Sequence, residues 1–252
     1  MQIFGIDLWR IILCVVLIAI VVMRANIVAF FARGKYANRE FEKALKIFSV
    51  ANKVGNLNAK NRQVYGYALL RCGHVEDAQV QLRLALPLTK RESAARYQVK
   101  NLLALTYWKQ GDLDMAIEEL EEVTDKGYKN TQIYQNLGIL YNLSDKHEKA
   151  LKFNQEAYEY NSDDKIITDN LADIYAICGE YEKAAEIYED LVNREPEPGF
   201  PEAYYGYGKV LIQLGEKERG IEMIEKSLTK PFSFMSIRQK DEIEKMLEEY
   251  KA

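Results

Sequence analysis

Two stretches decide the fold: NLGILYNLSDKHEKALKFNQEA at 136–157 and NLADIYAICGEYEKAAEIYEDL at 170–191. Both open on Asn-Leu followed by a small residue, and both place a Tyr four residues after the Leu. Both then carry a Lys-Ala pair whose Ala stands nine residues beyond that Tyr. The offset between them is 34 residues, and self-similarity at such a period is the mark of a stacked repeat.

The pattern extends outward in both directions. Tyr134, Leu137, Gly138, Tyr141, Ala150 and Ala157 define one unit, and Leu171, Ala172, Tyr175, Ala184, Tyr188 and Pro196 the next. Upstream, Leu103, Ala104, Tyr107, Gly111, Ala116 and Leu120 keep the register. Gly66, Gly73, Ala78, Leu82 and Ala85 do so after four extra residues, and Ala44, Phe48 and Ala51 stand one period earlier again. Downstream, Tyr204, Gly208, Gly215, Gly220 and Ile224 follow a two-residue insertion at the Pro-rich turn Pro196–Pro201. Six units result: 25–58, 59–96, 97–130, 131–164, 165–200 and 201–234, with a capping helix expected over Ser236–Tyr250 within 235–252.

Each unit reads as two antiparallel helices joined by a tight turn such as Gly111-Asp112 or Gly179-Glu180. Small residues (Gly138, Ala150, Ala172, Ala184) mark close helix crossings, while Tyr and Leu fill the gaps between hairpins. No single hairpin buries its own apolar face, so stacking supplies the core.

Ahead of the repeats, Ile11–Met23 (IILCVVLIAIVVM) is an unbroken apolar run. With Trp9 and Ile27–Phe31 flanking it, the run exceeds the roughly 20 residues that span a bilayer. A cleaved signal peptide fits less well, because Asp7 spoils a basic start and no convincing small-residue cleavage site follows Met23. Residues 1–24 are therefore expected to be an uncleaved transmembrane anchor, continuous with a first repeat helix at Ala25–Tyr36. Asp7 and Arg10 are expected to pair near one interface, and Arg24 to snorkel towards the other.

Charge is divided along the chain. Residues 24–109 carry sixteen Lys or Arg against five Asp or Glu, whereas residues 110–252 carry seventeen against thirty-two. Basic residues directly after the apolar run (Arg24, Arg33, Lys35, Arg39, Lys43, Lys46) place the repeats on the cytoplasmic side of a membrane. There the basic half would face anionic lipid. Nucleic acid is not expected as a partner, since these cations are spread over several helices directly after the apolar run.

Cys14, Cys72 and Cys178 form no CxxC pair and no disulfide framework, which suits a reducing compartment. The two histidines, His74 and His147, fall in separate turns with no i,i+4 partner. Phosphate-loop, nucleophile-elbow and HExxH motifs are missing from the sequence, so neither a catalytic centre, a metal nor a cofactor is expected.

The motif W-x2-L-G-x2-Y, A-x3-F, P that these units fill resembles the tetratricopeptide repeat over about residues 25–234. The resemblance implies an all-α, right-handed superhelical solenoid of helical hairpins behind one transmembrane helix. It also implies a concave groove, lined by the first helix of each hairpin, that binds a protein or peptide. In that family the Asn before the Leu commonly hydrogen-bonds the main chain of an extended peptide. Asn136 and Asn170 stand there, with Asn101, Leu105, Trp108, Gln135, Asp169, Asp173, Tyr205 and Lys209 as further groove candidates. The same Asn also admits a purely structural role as a bridge between adjacent helices.

Family members that grip the carboxylates of chaperone tails use a Lys, Arg and Asn set. Gln135, Ile139 and Asp173 stand in its place here, so a basic or neutral partner is expected instead. The leading expectation is a membrane-tethered scaffold or adaptor. The alternatives are a chaperone-like factor on the exported face, assisting secretion or envelope assembly, and a non-catalytic subunit of a membrane enzyme complex.

Overall fold

Apolar residues at a spacing of three and four give each segment one sticky stripe, and the helices form where those stripes meet. The computed structural model describes residues 2–3 and 6–251. Two short strands, β1 (Gln2–Ile3) and β2 (Ile6–Asp7), pair antiparallel, and the remaining elements are helical. The chain divides into two compact units, Met1–Leu102 and Leu103–Ala252.

The first unit begins with α1 (Leu8–Ala37), a single unbroken helix. Its first half exposes Trp9, Ile12, Leu13, Val15 and the apolar residues that follow to Met23. From Ala25 on it changes character: Ala25, Ala29 and Ala32 are fully buried where α2 (Phe41–Val54) packs against it. The helix Ile12–Ala37 is long and apolar enough to cross a membrane. Arg24 is exposed on this helix. Its Nε donates to the Val54 carbonyl, one of the orphan carbonyls at the end of α2. Asn26 Oδ1 accepts from the Asn58 amide at 3.0 Å and from Asn61 Nδ2 at 2.9 Å, stapling the α2–α3 connection to α1. The expected Asp7–Arg10 pair lies outside the described side chains; Arg10 sits 5.3 Å from the Trp9 ring centroid.

A second hairpin, α3 (Ala59–Arg71) with α4 (Val75–Ala85), completes most of this unit. Helix α5 (Ala94–Lys109) runs through the boundary.

The second unit holds α6 (Leu113–Asp125), α7 (Thr131–Asn142), α8 (His147–Tyr160), α9 (Lys165–Ile177), α10 (Tyr181–Val192), α11 (Pro201–Gln213), α12 (Lys217–Leu228) and α13 (Lys240–Lys251). Side-chain caps start several of these helices: Asp112 accepts from the Met115 amide, Asn130 from Ile133, and Asp164 from Ile166 and Ile167. The turn after α9 shows how they stop. Gly179 adopts φ +79°, and the Glu180 amide reaches back to the Tyr175 carbonyl at 2.9 Å.

Packing follows the repeat. Helices α7, α9 and α11 lie side by side, while α8, α10 and α12 pack behind them. Ala172, Ala184, Tyr188, Leu191, Ala203 and Tyr207 form one core cluster. The helix after the last hairpin starts at Lys240 rather than at Ser236; residues 231–239 are not helical. Helix α13 buries Ile243 and Leu247 beside Ile224 and Tyr205.

Candidate functional site

Helices α7, α9, α10 and α11, with the 229–239 segment and α13, enclose a cavity of about 420 Å³ in the second unit. Five of the expected groove residues meet there: Asp169, Asn170, Asp173, Tyr205 and Lys209. They converge because α9 and α11 occupy equivalent places in consecutive hairpins. Residues four apart on α9 (Asp169, Asp173) and on α11 (Tyr205, Lys209) then fall on the same side.

The other five candidates do not line it. Gln135 donates from Nε2 to both carboxylate oxygens of Asp164, at 2.9 and 2.8 Å, and so ties α7 to the start of α9. Asn136 is half-buried on the same helix. Leu105 is buried and Trp108 half-buried on α5, where the Lys109 ammonium lies 3.9 Å from the Trp108 ring centroid. Asn101 is buried within the first unit.

Asn170 fills the bridging role open to its position. Its Nδ2 donates to the Gln135 carbonyl at 2.9 Å, and the residue is only 3% exposed. The amide nitrogen that would reach a peptide main chain is therefore engaged between α7 and α9.

A chain of amides runs behind it. Fully buried Asn154 on α8 donates to Asn142 Oδ1 at 2.7 Å. Asn142 Nδ2 donates in turn to the Asn170 carbonyl at 2.8 Å and to Asp173 Oδ2 at 3.1 Å. This relay orients Asp173 towards the cavity.

Three acids share the lining. Asp169, Asp173 and Glu202 all have raised pKa values, in each case chiefly through burial, which disfavours the charged form. Glu202 is anchored by the Ile237 amide at 3.0 Å. Lys209 and Arg238 both lie over Tyr205, at 5.6 and 5.5 Å from its ring centroid. The 231–239 segment is fixed from the α5 side by Lys109, whose Nζ donates to the Ser236 carbonyl at 3.0 Å. Burial lowers the Lys109 pKa to about 8.

Asn142, Glu202, Tyr188 and Arg238 belong to the site without having been expected there. One signal was present for the relay: Asn154 occupies the A-x3-F position that holds Leu120 and Tyr188 in the neighbouring repeats.

A row of inner helices backed by outer ones, with a recessed cavity on the inner side, defines the second unit as a helical-hairpin repeat domain. Residues 101–164 and 171–231 match the tetratricopeptide repeat family. A TPR repeat-containing protein of Methanocaldococcus jannaschii is 23% identical over 157 residues, covering 62% of this chain and 27% of that one. The chain thus spans about a quarter of the length of that curated relative.

Among solved structures, a tetratricopeptide repeat protein from Parabacteroides merdae has a TM-score of 0.73 at 15% identity, covering 91% of this chain and 85% of that one. A thermophilic TPR protein in Thermus thermophilus has a TM-score of 0.62 at 17% identity, covering 77% and 98%. The chain is a tetratricopeptide-repeat protein, and its fold is that of a protein–protein interaction scaffold.

Proposed function

We propose that the chain is a membrane-tethered adaptor that holds a partner polypeptide in the cavity between α7, α9 and α11, on the cytoplasmic side. The observation that carries this reading is α1: a bare apolar helix that passes without a linker into the first buried hairpin. Exposed Ile27, Phe30 and Phe31 continue the apolar surface beyond Met23, as a helix entering the headgroup layer would need. The excess of Lys and Arg over residues 24–109 supports retention on the cytoplasmic side and contact with anionic lipid.

Topology is tested in intact cells with a membrane-impermeant thiol reagent, on a Lys251→Cys variant lacking Cys72 and Cys178. Protection until the membrane is breached is expected; labelling of intact cells would place the repeats on the opposite face. Partner binding is tested by photo-crosslinking from Leu143, at the cavity, against Glu222 on α12. A discrete adduct from Leu143 alone is expected, and equal adducts from both positions would remove the cavity from the reading.

A further inference from the structure

The cavity holds an acid that its own cations do not meet. Asp169 is 6% exposed, and its Oδ1 has no hydrogen-bond partner among the described residues. The charges bearing on it come from Asp173 and Glu202, and both repel. Lys209 and Arg238 instead act on Asp173 and lie over Tyr205. Asp169 is the most buried of the three carboxyls and the one left without a counter-charge.

Among the described residues, no group of three His, Cys, Asp or Glu is placed to hold a metal ion. The remaining lining combines apolar and aromatic surface, including Ile139, Ile177, Tyr181 and Val210. A ligand for this site needs an apolar stem and a positive head, which describes a Lys or Arg side chain.

We propose that the cavity receives one basic side chain of the partner polypeptide, its stem against Ile139, Ile177 and Val210 and its charge at Asp169. The assignment rests on the partner-binding reading above and adds the chemistry of the anchor. Burial beside two like charges raises the Asp169 pKa, and an arriving cation would act in the opposite direction. Arg238 shows the preference in cis: a guanidinium of the same chain already lies over Tyr205 and acts on Asp173.

The test is a selection from a displayed library of random dodecapeptides, using the full chain in nanodiscs. Enriched peptides are expected to share one position occupied by Lys or Arg. Asp169→Asn should reduce the preference at that position by about tenfold or more, as expected when a buried charge partner is removed. Its unfolding midpoint must not fall, which shows that the fold is kept. Ile177→Arg, which places a cation of the chain itself at the cavity, should abolish the same preference.

Enriched peptides without a basic position, or a basic preference untouched by Asp169→Asn, would overturn this assignment and leave the partner-binding reading standing. No enrichment at all would overturn both. Asp169-dependent binding of spermidine without peptide enrichment would put a free polyamine in the cavity and overturn the side-chain assignment.

Discussion

Asn154 donates to Asn142 Oδ1 at 2.7 Å from a position that other repeats give to Phe48, Leu82, Leu120, Tyr188 and Ile224. One hairpin has thus exchanged an apolar knob for a buried amide. Asn154→Ala leaves Asn142 Oδ1 without that donor and opens a gap behind Gly138. A loss of about 1–3 kcal/mol is expected in urea unfolding of the detergent-solubilised chain. An unchanged midpoint would mean that the relay contributes nothing.

Arg39 adopts φ +60°, one period before Gly73 at φ +82°. It holds the same helix-ending turn, with the Glu40 amide bonded to the Lys35 carbonyl at 3.0 Å. A side chain in this left-handed conformation costs about 1 kcal/mol. Arg39→Gly is therefore expected to stabilise the first unit by about 0.5–1 kcal/mol in the same assay.

Helices α11 and α12 approach at two glycines. A Cβ on Gly208 would stand 2.5 Å from the Gly220 carbonyl oxygen and 2.7 Å from Ile224 Cγ1. Backbone cannot yield there as a side-chain tip would, so Gly208→Ala should cost about 1–3 kcal/mol. Gly34 is also helical, but a Cβ added there would meet no heavy atom within 4 Å. Gly34→Ala should instead stabilise by about 0.5–1 kcal/mol.

The cavity acids set a pH dependence of stability. Asp and Glu in the unfolded chain keep their ordinary values of 3.8 and 4.5, while Asp169, Asp173 and Glu202 are raised in the folded state. Between the ordinary and the raised values the folded chain holds protons that the unfolded chain has lost. Their contribution is therefore greatest below the ordinary values and declines as pH rises through the raised ones. Asp169→Asn should flatten this decline and raise stability at neutral pH relative to acid pH. Thermal melts across pH 4–8 read both effects, and an unaltered slope in the variant would contradict them.

Much of the fold is legible because it is periodic. The Ala and Leu or Tyr positions recur at a fixed interval, so one well-matched pair of hairpins locates the others, and Gly179 announces its own turn. The site is less legible for a physical reason. Asp169, Asp173, Tyr205 and Lys209 could be gathered from their places on inner helices. Arg238 and Ile237 reach the cavity from a non-helical segment that carries no periodic signal, where the amino-acid pattern alone predicts helix from Ser236. Asn170 shows the opposite difficulty. Its position is marked by the repeat, but only its distance to the Gln135 carbonyl separates a ligand-facing amide from a structural one.

The staple formed by Arg24 and Asn26 governs how the first unit can move. Arg24 holds the end of α2, and Asn26 holds the start of α3, both from the helix that carries the apolar stretch. No swivel separates that stretch from the first hairpin. With the apolar stretch in a bilayer, any tilt of α1 is a tilt of the whole first unit, and the helix acts as a mast, not a leash. On the tethering proposed above, such a mast would confine the first unit to a thin shell above the lipid. A membrane-bound partner of that unit would then meet it by diffusing in two dimensions instead of three.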